Sequence, residues 1–175
     1  MSNKTNKQFL FEVQLNWLAD TRGILTARDA NGTIHVATPP RFGGEGRPWT
    51  AEHLFLSSIS SSFMSTYLLF AKKNHLSISG FECDTIGQIE VIDGKYKFTN
   101  INLYPKIYIA DETLREKANL VLEKTHKYAL VTNSVNAEVF YHSMVLTSPP
   151  VQENTKISRM TNGGIATRNR NRSAR

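Results

Sequence analysis

From Phe11 to Trp17 apolar and polar side chains alternate. Phe11, Val13, Leu15 and Trp17 fall on one face, and Glu12, Gln14 and Asn16 on the other. Alternation at period two predicts a half-buried strand over residues 9–18. Runs at 23–28 and 33–38 flank Asn31-Gly32. Both positions of an Asn-Gly pair tolerate positive φ, so a type I′ hairpin turn is expected and the three strands form a meander. The Gly- and Pro-rich stretch 39–48 lacks the spacing and the Lys-Ser/Thr ending of a phosphate loop. It reads as a flexible connection ahead of a helix.

That helix starts at Thr50, an N-cap residue, with Glu52 in its first turn, and runs to about Asn74. Phe55, Ile59, Phe63 and Tyr67 recur every four residues, and Leu56, Met64 and Leu68 form a second stripe. Apolar residues over most of a helix surface predict burial on most sides. Ser57, Ser58, Ser60, Ser61, Ser62 and Ser65 between them would let another backbone come close. Strands follow at 77–92 and 95–108, joined by Asp93-Gly94, a second hairpin signal. A helix is expected over 111–128, with Leu114, Ala118, Val121, Leu122 and Thr125 on one face, and a last strand over 136–147. The order βββ-α-ββ-α-β, without internal repeats, predicts an α+β domain with largely antiparallel pairing.

Composition refines this outline. The chain has 175 residues, 40% hydrophobic and 21% charged, which suits one globular domain with a tail. The net charge of +6 is unevenly placed. Residues 151–175 carry six basic side chains against Glu153, while residues 1–150 carry fifteen basic and fourteen acidic ones. The domain, 1–148, is therefore nearly neutral, and the basic segment 149–175 reads as a disordered, solvated tail. It has no aromatics to stack on bases, so no nucleic-acid partner is expected. No run approaches the roughly 18–20 apolar residues of a membrane span, and no targeting segment is evident. A cytoplasmic protein without a membrane partner is the expectation.

The chain has one cysteine, Cys83. One thiol excludes an intrachain disulfide framework and a multi-cysteine metal site. None of the five histidines forms a His-x-x-x-His pair, so neither a metal nor a cofactor is expected. Cys83 lies between Glu82 and Asp84, surroundings that do not favour a thiolate.

Two stretches carry more. The first runs from Trp49 through Thr50, Ala51, Glu52, His53 and Leu54, over the serine run, to Ser62-Phe63. The second is Thr125-His126-Lys127-Tyr128-Ala129-Leu130-Val131-Thr132-Asn133-Ser134. Together they resemble the OsmC/Ohr family of osmotically induced and organic-hydroperoxide-resistance proteins, over about residues 10–147. The resemblance implies an OsmC-like fold, an intertwined homodimer with sites at the interface, and reduction of hydroperoxides by a thiolate. It implies that the reactive cysteine falls on Ser62 and the resolving cysteine on Ala129. It also implies an Arg–Glu pair. Glu52 matches the glutamate, and Arg22 is the best match for the arginine, with Arg41 and Arg47 as competitors. Phe63, His126 and Ala129 would line the substrate site.

The departures from the family pattern decide the expected activity. A serine hydroxyl is far less acidic than a thiol and has no sulfenic-acid chemistry. An alanine has nothing with which to resolve an oxidised sulfur. An OsmC-like protein without thiol peroxidase activity is therefore expected, its pocket binding a small apolar or hydroperoxide-like ligand. The alternatives are a Ser62/His126 hydrolase-like activity, a peroxidase relocated to Cys83, and a nucleic-acid role for the tail. Glu52 and Ser62 are ten residues apart on one helix, or roughly 15 Å along its axis. They can share a pocket only if the helix start bends back or a second chain closes it.

Overall fold

A computed structural model describes residues 8–147; the basic tail lies outside the described residues. Strands β1 (Gln14–Ala19), β2 (Arg22–Thr26) and β3 (Ile34–Ala37) form an antiparallel meander. The turn before β3 is wider than a two-residue hairpin. The ladder ends at Leu25↔Ile34, and only Gly32 of the Asn-Gly pair takes positive φ, at 87°. The apolar face of β1 also departs from expectation. Phe11, Val13, Leu15 and Trp17 are all exposed, because the small sheet packs little of that face against the rest of the chain.

Between β3 and the first helix, Pro40–Phe42 forms a short 3-10 turn. Trp49 then pairs back against β3, accepting from Ala37 N at 2.9 Å and donating to His35 O at 3.2 Å. This return delivers the chain to Thr50, the N-cap of α1 (Ala51–Lys73). Thr50 and His53 cap each other reciprocally, His53 taking the place that Glu or Gln holds in the usual capping box.

One stripe of α1 is buried: Ile59, Phe63, Tyr67 and Ala71. Met64, Leu68 and Leu69 are exposed, so the helix is covered on fewer sides than its composition predicts. By length and composition alone this helix could span a membrane, a test that the core helix of a folded domain also passes. The buried stripe instead packs in the protein core.

Strands β4 (Ile78–Ile92) and β5 (Lys95–Ile109) form a long antiparallel hairpin. Asp93 and Gly94 turn it with φ of 51° and 73°, as the Asp-Gly signal predicts. Ile101, Leu103, Ile107 and Ile109 of β5 face the core, where they meet the α1 stripe. Gly87 lets α1 approach β4 closely. A Cβ there would lie 2.8 Å from Leu56 Cδ2 and 2.7 Å from Phe98 Cε1. Ser60 Oγ and Thr85 Oγ1, 2.7 Å apart, hydrogen-bond across the same contact.

Asp111 caps the turn that leads into α2 (Arg115–Tyr128), accepting from Thr113 N at 2.8 Å. Ala118, Val121 and Leu122 complete the core. The expected last strand is two short ones, β6 (Glu138–Tyr141) and β7 (Met144–Leu146). Both run parallel to β5, so the larger sheet is mixed rather than antiparallel. The helical crossover through α2 returns the chain in the parallel sense. The break falls at His142-Ser143, where His142 N donates to Leu103 O at 2.8 Å.

Candidate functional site

The small sheet and the first turn of α1 line an open cavity of about 500 Å³. Trp17, Leu25, Val36 and Leu54 give it an apolar wall, and Arg22 and Glu52 line it with charge. Neither Arg41 nor Arg47 lines it. Arg22 and Glu52 do not pair with each other in this state. The Arg22 guanidinium contacts Asp20 Oδ2 at 3.6 Å and Glu45 Oε2 at 3.8 Å. These side chains are half-exposed, and such pairs are worth about 0–1 kcal/mol. Glu52 stands in the first turn of α1. Its Oε2 is buried and has no hydrogen-bond partner among the described residues. Leaving a buried acceptor unmade costs on the order of 1–3 kcal/mol.

The second group of expected site residues lies elsewhere. Ser62 Oγ accepts a hydrogen bond from Val131 N at 3.2 Å. Ala129 is fully buried at the C-cap of α2, where its N–H donates to Thr125 O at 2.9 Å. The positions 62 and 129 are thus set beside one turn, where the end of α2 meets the middle of α1. Ser62, Phe63, His126 and Ala129 do not line the Arg22–Glu52 cavity. Within one chain the structure brings together Arg22 with Glu52, and Ser62 with the turn after α2, as two separate halves.

Phe63 is fully buried, its ring 5.5 Å from that of Tyr141 and 5.6 Å from that of His126. His126 stacks on Tyr141 at 4.2 Å, and its Nε2 lies 3.3 Å from Ser143 Oγ. Burial lowers its pKa below the usual histidine value, against the opposing charge of Glu123. The hydrogen bonds of Ser62 and His126 therefore run to Val131 and Ser143.

Cys83 is half-buried on β4, in a groove of about 350 Å³ with Ser57, Ser60 and Ser61. Burial pushes its thiol up, and the neighbouring Asp84 charge adds to this, against hydrogen bonds from Thr85 and the Tyr104 backbone. A thiolate is disfavoured there. Among the described residues no group of three or more His, Cys, Asp or Glu could hold a metal ion.

Sequence reasoning missed Asp20 and Glu45 as partners of Arg22, Val131 as the donor to Ser62, and Ser143 beside His126. The spacing of charge could have suggested Asp20, two residues from Arg22. Glu45, Val131 and Ser143 arrive through tertiary structure and leave no local signal.

Comparison with known proteins places these observations. Residues 44–142 match the sequence profile of OsmC-like proteins. No curated protein sequence matches the chain. Solved structures share the fold. An OsmC-like protein of unknown function from Vibrio cholerae superposes with a TM-score of 0.69 at 17% identity, covering 78% of this chain and all of that one. An organic hydroperoxide resistance protein from Elizabethkingia anophelis gives 0.64 at 17% identity, covering 82% and 100%. An OsmC-like protein from Mycoplasma pneumoniae gives 0.65 at 14% identity, covering 81% and 99%. At these identities the likeness establishes the fold.

Proposed function

This chain belongs to the OsmC-like protein family, and we propose that it is a member that binds a small apolar ligand without reducing hydroperoxides. The observation that carries the proposal is the pair Ser62 and Ala129, which stand where the resemblance places the two reactive thiols. Reduction of a hydroperoxide by a thiolate breaks the O–O bond, leaving a sulfenic acid and an alcohol, and a second thiol then forms the disulfide. Serine oxygen offers no counterpart to the sulfur oxidation, and alanine offers no second thiol. Cys83 is disfavoured as a replacement, because burial opposes its ionisation.

The cavity supports a binding role. Its wall is apolar, and Arg22 and Glu52 can orient a polar head group. We propose further that the working form is a homodimer. Phe11, Trp17 and Leu69 are each more than half exposed in the single chain, apolar surface that a second copy would cover. The partner would also set Ser62 of one chain near the Arg22–Glu52 cavity of the other, joining the two halves.

Two measurements on the purified full chain test this. Consumption of tert-butyl hydroperoxide with a dithiol reductant is expected to match the protein-free background. Fluorescence of the neutral apolar probe N-phenyl-1-naphthylamine is expected to rise on binding, and to rise less in Leu54→Trp, which narrows the cavity. Consumption of peroxide well above background by the wild-type chain would overturn the non-redox reading.

A further inference from the structure

We infer that Glu45 is a positioning residue that competes with Glu52 for the Arg22 guanidinium, and so sets the polarity of the cavity. The inference rests on reading the Arg22–Glu52 cavity as the ligand site. Arg22 and Glu52 line one cavity, yet Arg22 is drawn toward Asp20 and Glu45 at 3.6 and 3.8 Å. Both contacts are longer than a charge-assisted hydrogen bond of about 2.7–2.9 Å. Glu52 Oε2, meanwhile, has lost water and gained no partner. A loose, solvent-screened pair thus holds the cation while a desolvated acceptor in the same cavity goes without one. Satisfying the desolvated acceptor is the larger gain, because water already serves the exposed carboxylates.

The two competitors differ in how they reach Arg22. Asp20 sits on the turn between β1 and β2, two residues away, and belongs to the same local structure. Glu45 comes from the loop between β3 and α1, and that loop is held in a defined shape. Gly43 and Gly46 take φ of 85° and 71°. Gly44 packs so tightly on Thr38 that a Cβ would fall 1.5 Å from its carbonyl oxygen. The Phe42 ring meets Tyr96 edge-on at 5.3 Å, tying the loop to the tip of the β4–β5 hairpin. The loop brings Glu45 to 3.8 Å from the Arg22 guanidinium. While Arg22 stays with Glu45, the cavity holds an unpaired carboxylate and favours a ligand with a hydrogen-bond donor. Once Arg22 closes on Glu52, the pair is neutral and the cavity favours an uncharged apolar ligand.

Nuclear magnetic resonance of the arginine Nε–Hε groups in the full chain tests this, with Arg22→Lys supplying the assignment. In Glu45→Gln, exchange of the Arg22 Hε proton with water is expected to slow by about five-fold or more, as the guanidinium moves into the cavity. Adding Glu52→Gln is expected to reverse the slowing. Glu45→Ala should behave as Glu45→Gln, and Glu45→Asp should lie between it and the wild type. N-phenyl-1-naphthylamine should bind Glu45→Gln more tightly than wild type, by about three-fold or more. Unchanged Arg22 exchange in Glu45→Gln and Glu45→Ala, or slowing that persists with Glu52→Gln, overturns the competition. If the probe binds no form while the exchange pattern appears as expected, the ligand reading falls and the competition stands.

Discussion

Val131 donates its backbone N–H to Ser62 Oγ at 3.2 Å, across 69 residues of sequence. The hydroxyl at the position matching the family's reactive thiol thus anchors the turn that follows α2. Ser62→Ala removes that acceptor and leaves a partly buried N–H unmade. A loss of about 1–2 kcal/mol is expected, read as a lower urea midpoint with an unchanged slope.

Placing thiols at both matched positions tests whether the scaffold still supports the chemistry. In Ser62→Cys with Ala129→Cys, oxidation is expected to join the two introduced thiols and leave Cys83 free. Peptide mapping by mass spectrometry reads the linkage. Consumption of tert-butyl hydroperoxide with a dithiol reductant should then be fastest in the double variant and stay at background in Ala129→Cys alone, which lacks the thiol that attacks the peroxide. The second thiol speeds regeneration of the first by taking up its sulfenic acid as a disulfide with loss of water.

Phe63 was expected to line a substrate site, and the structure places it fully buried in the core. Phe63→Ala should therefore cost about 3–5 kcal/mol of stability, in the range of large aromatic truncations. Equilibrium unfolding in denaturant checks it. An effect confined to ligand affinity, with stability intact, would return Phe63 to the site.

His126 supplies a pH dependence. Burial holds its folded pKa below its unfolded value, with Glu123 partly opposing. Above the unfolded pKa, near 6.5, the ring is neutral in both states and its contribution is complete. As pH falls through that value the unfolded chain takes up the proton first, so stability declines until the folded pKa is passed. Denaturant midpoints between pH 7.5 and about 5 should fall more steeply for wild type than for His126→Phe, which keeps an aromatic ring against Tyr141.

The exposed face beside β1 gives a test of assembly. Phe11 is 92% exposed in the single chain. If a second copy covers this face, the wild-type chain sediments at twice its 19.7 kDa mass and Phe11→Glu shifts it toward one copy. Sedimentation of wild type as a single chain at micromolar concentration would remove the homodimer from the proposal.

Much of the fold was legible because its signals are local. Thr50 marked the start of α1 through a side chain that caps its own helix, and Asp93-Gly94 marked a turn that needs two positive φ angles. The stripe Ile59, Phe63, Tyr67 is the face of α1 that enters the core, where the sequence predicted burial on most sides. The serine-rich composition did not tell how much of the other face stays open, because coverage depends on what lies opposite. The parallel sense of β6 and β7 was hidden, since alternation within a strand carries no information about its partner's direction. At the site, Arg22 and Glu52 were identified from resemblance; both line one cavity, without pairing there. Glu45 was invisible, because its role depends on a loop whose shape is set by Gly44 against Thr38 and by Phe42 against Tyr96.

The position of β5 has a consequence for the order of synthesis. This strand bonds β4 on one side and both β6 and β7 on the other. A growing chain can close the β4–β5 hairpin as soon as Ile109 emerges from the ribosome. The other edge of β5, with Asn100 through Leu103 and Lys106 through Tyr108, stays unpaired until residues 138–146 have been made. During that interval an open edge borders Ile101, Leu103 and Ile107, the kind of surface that recruits other chains. A chain truncated inside α2 would leave this edge permanently open, whereas one ending after Thr147 would carry every strand found among the described residues. Damage to the message in the stretch encoding residues 115–146 should thus yield aggregates.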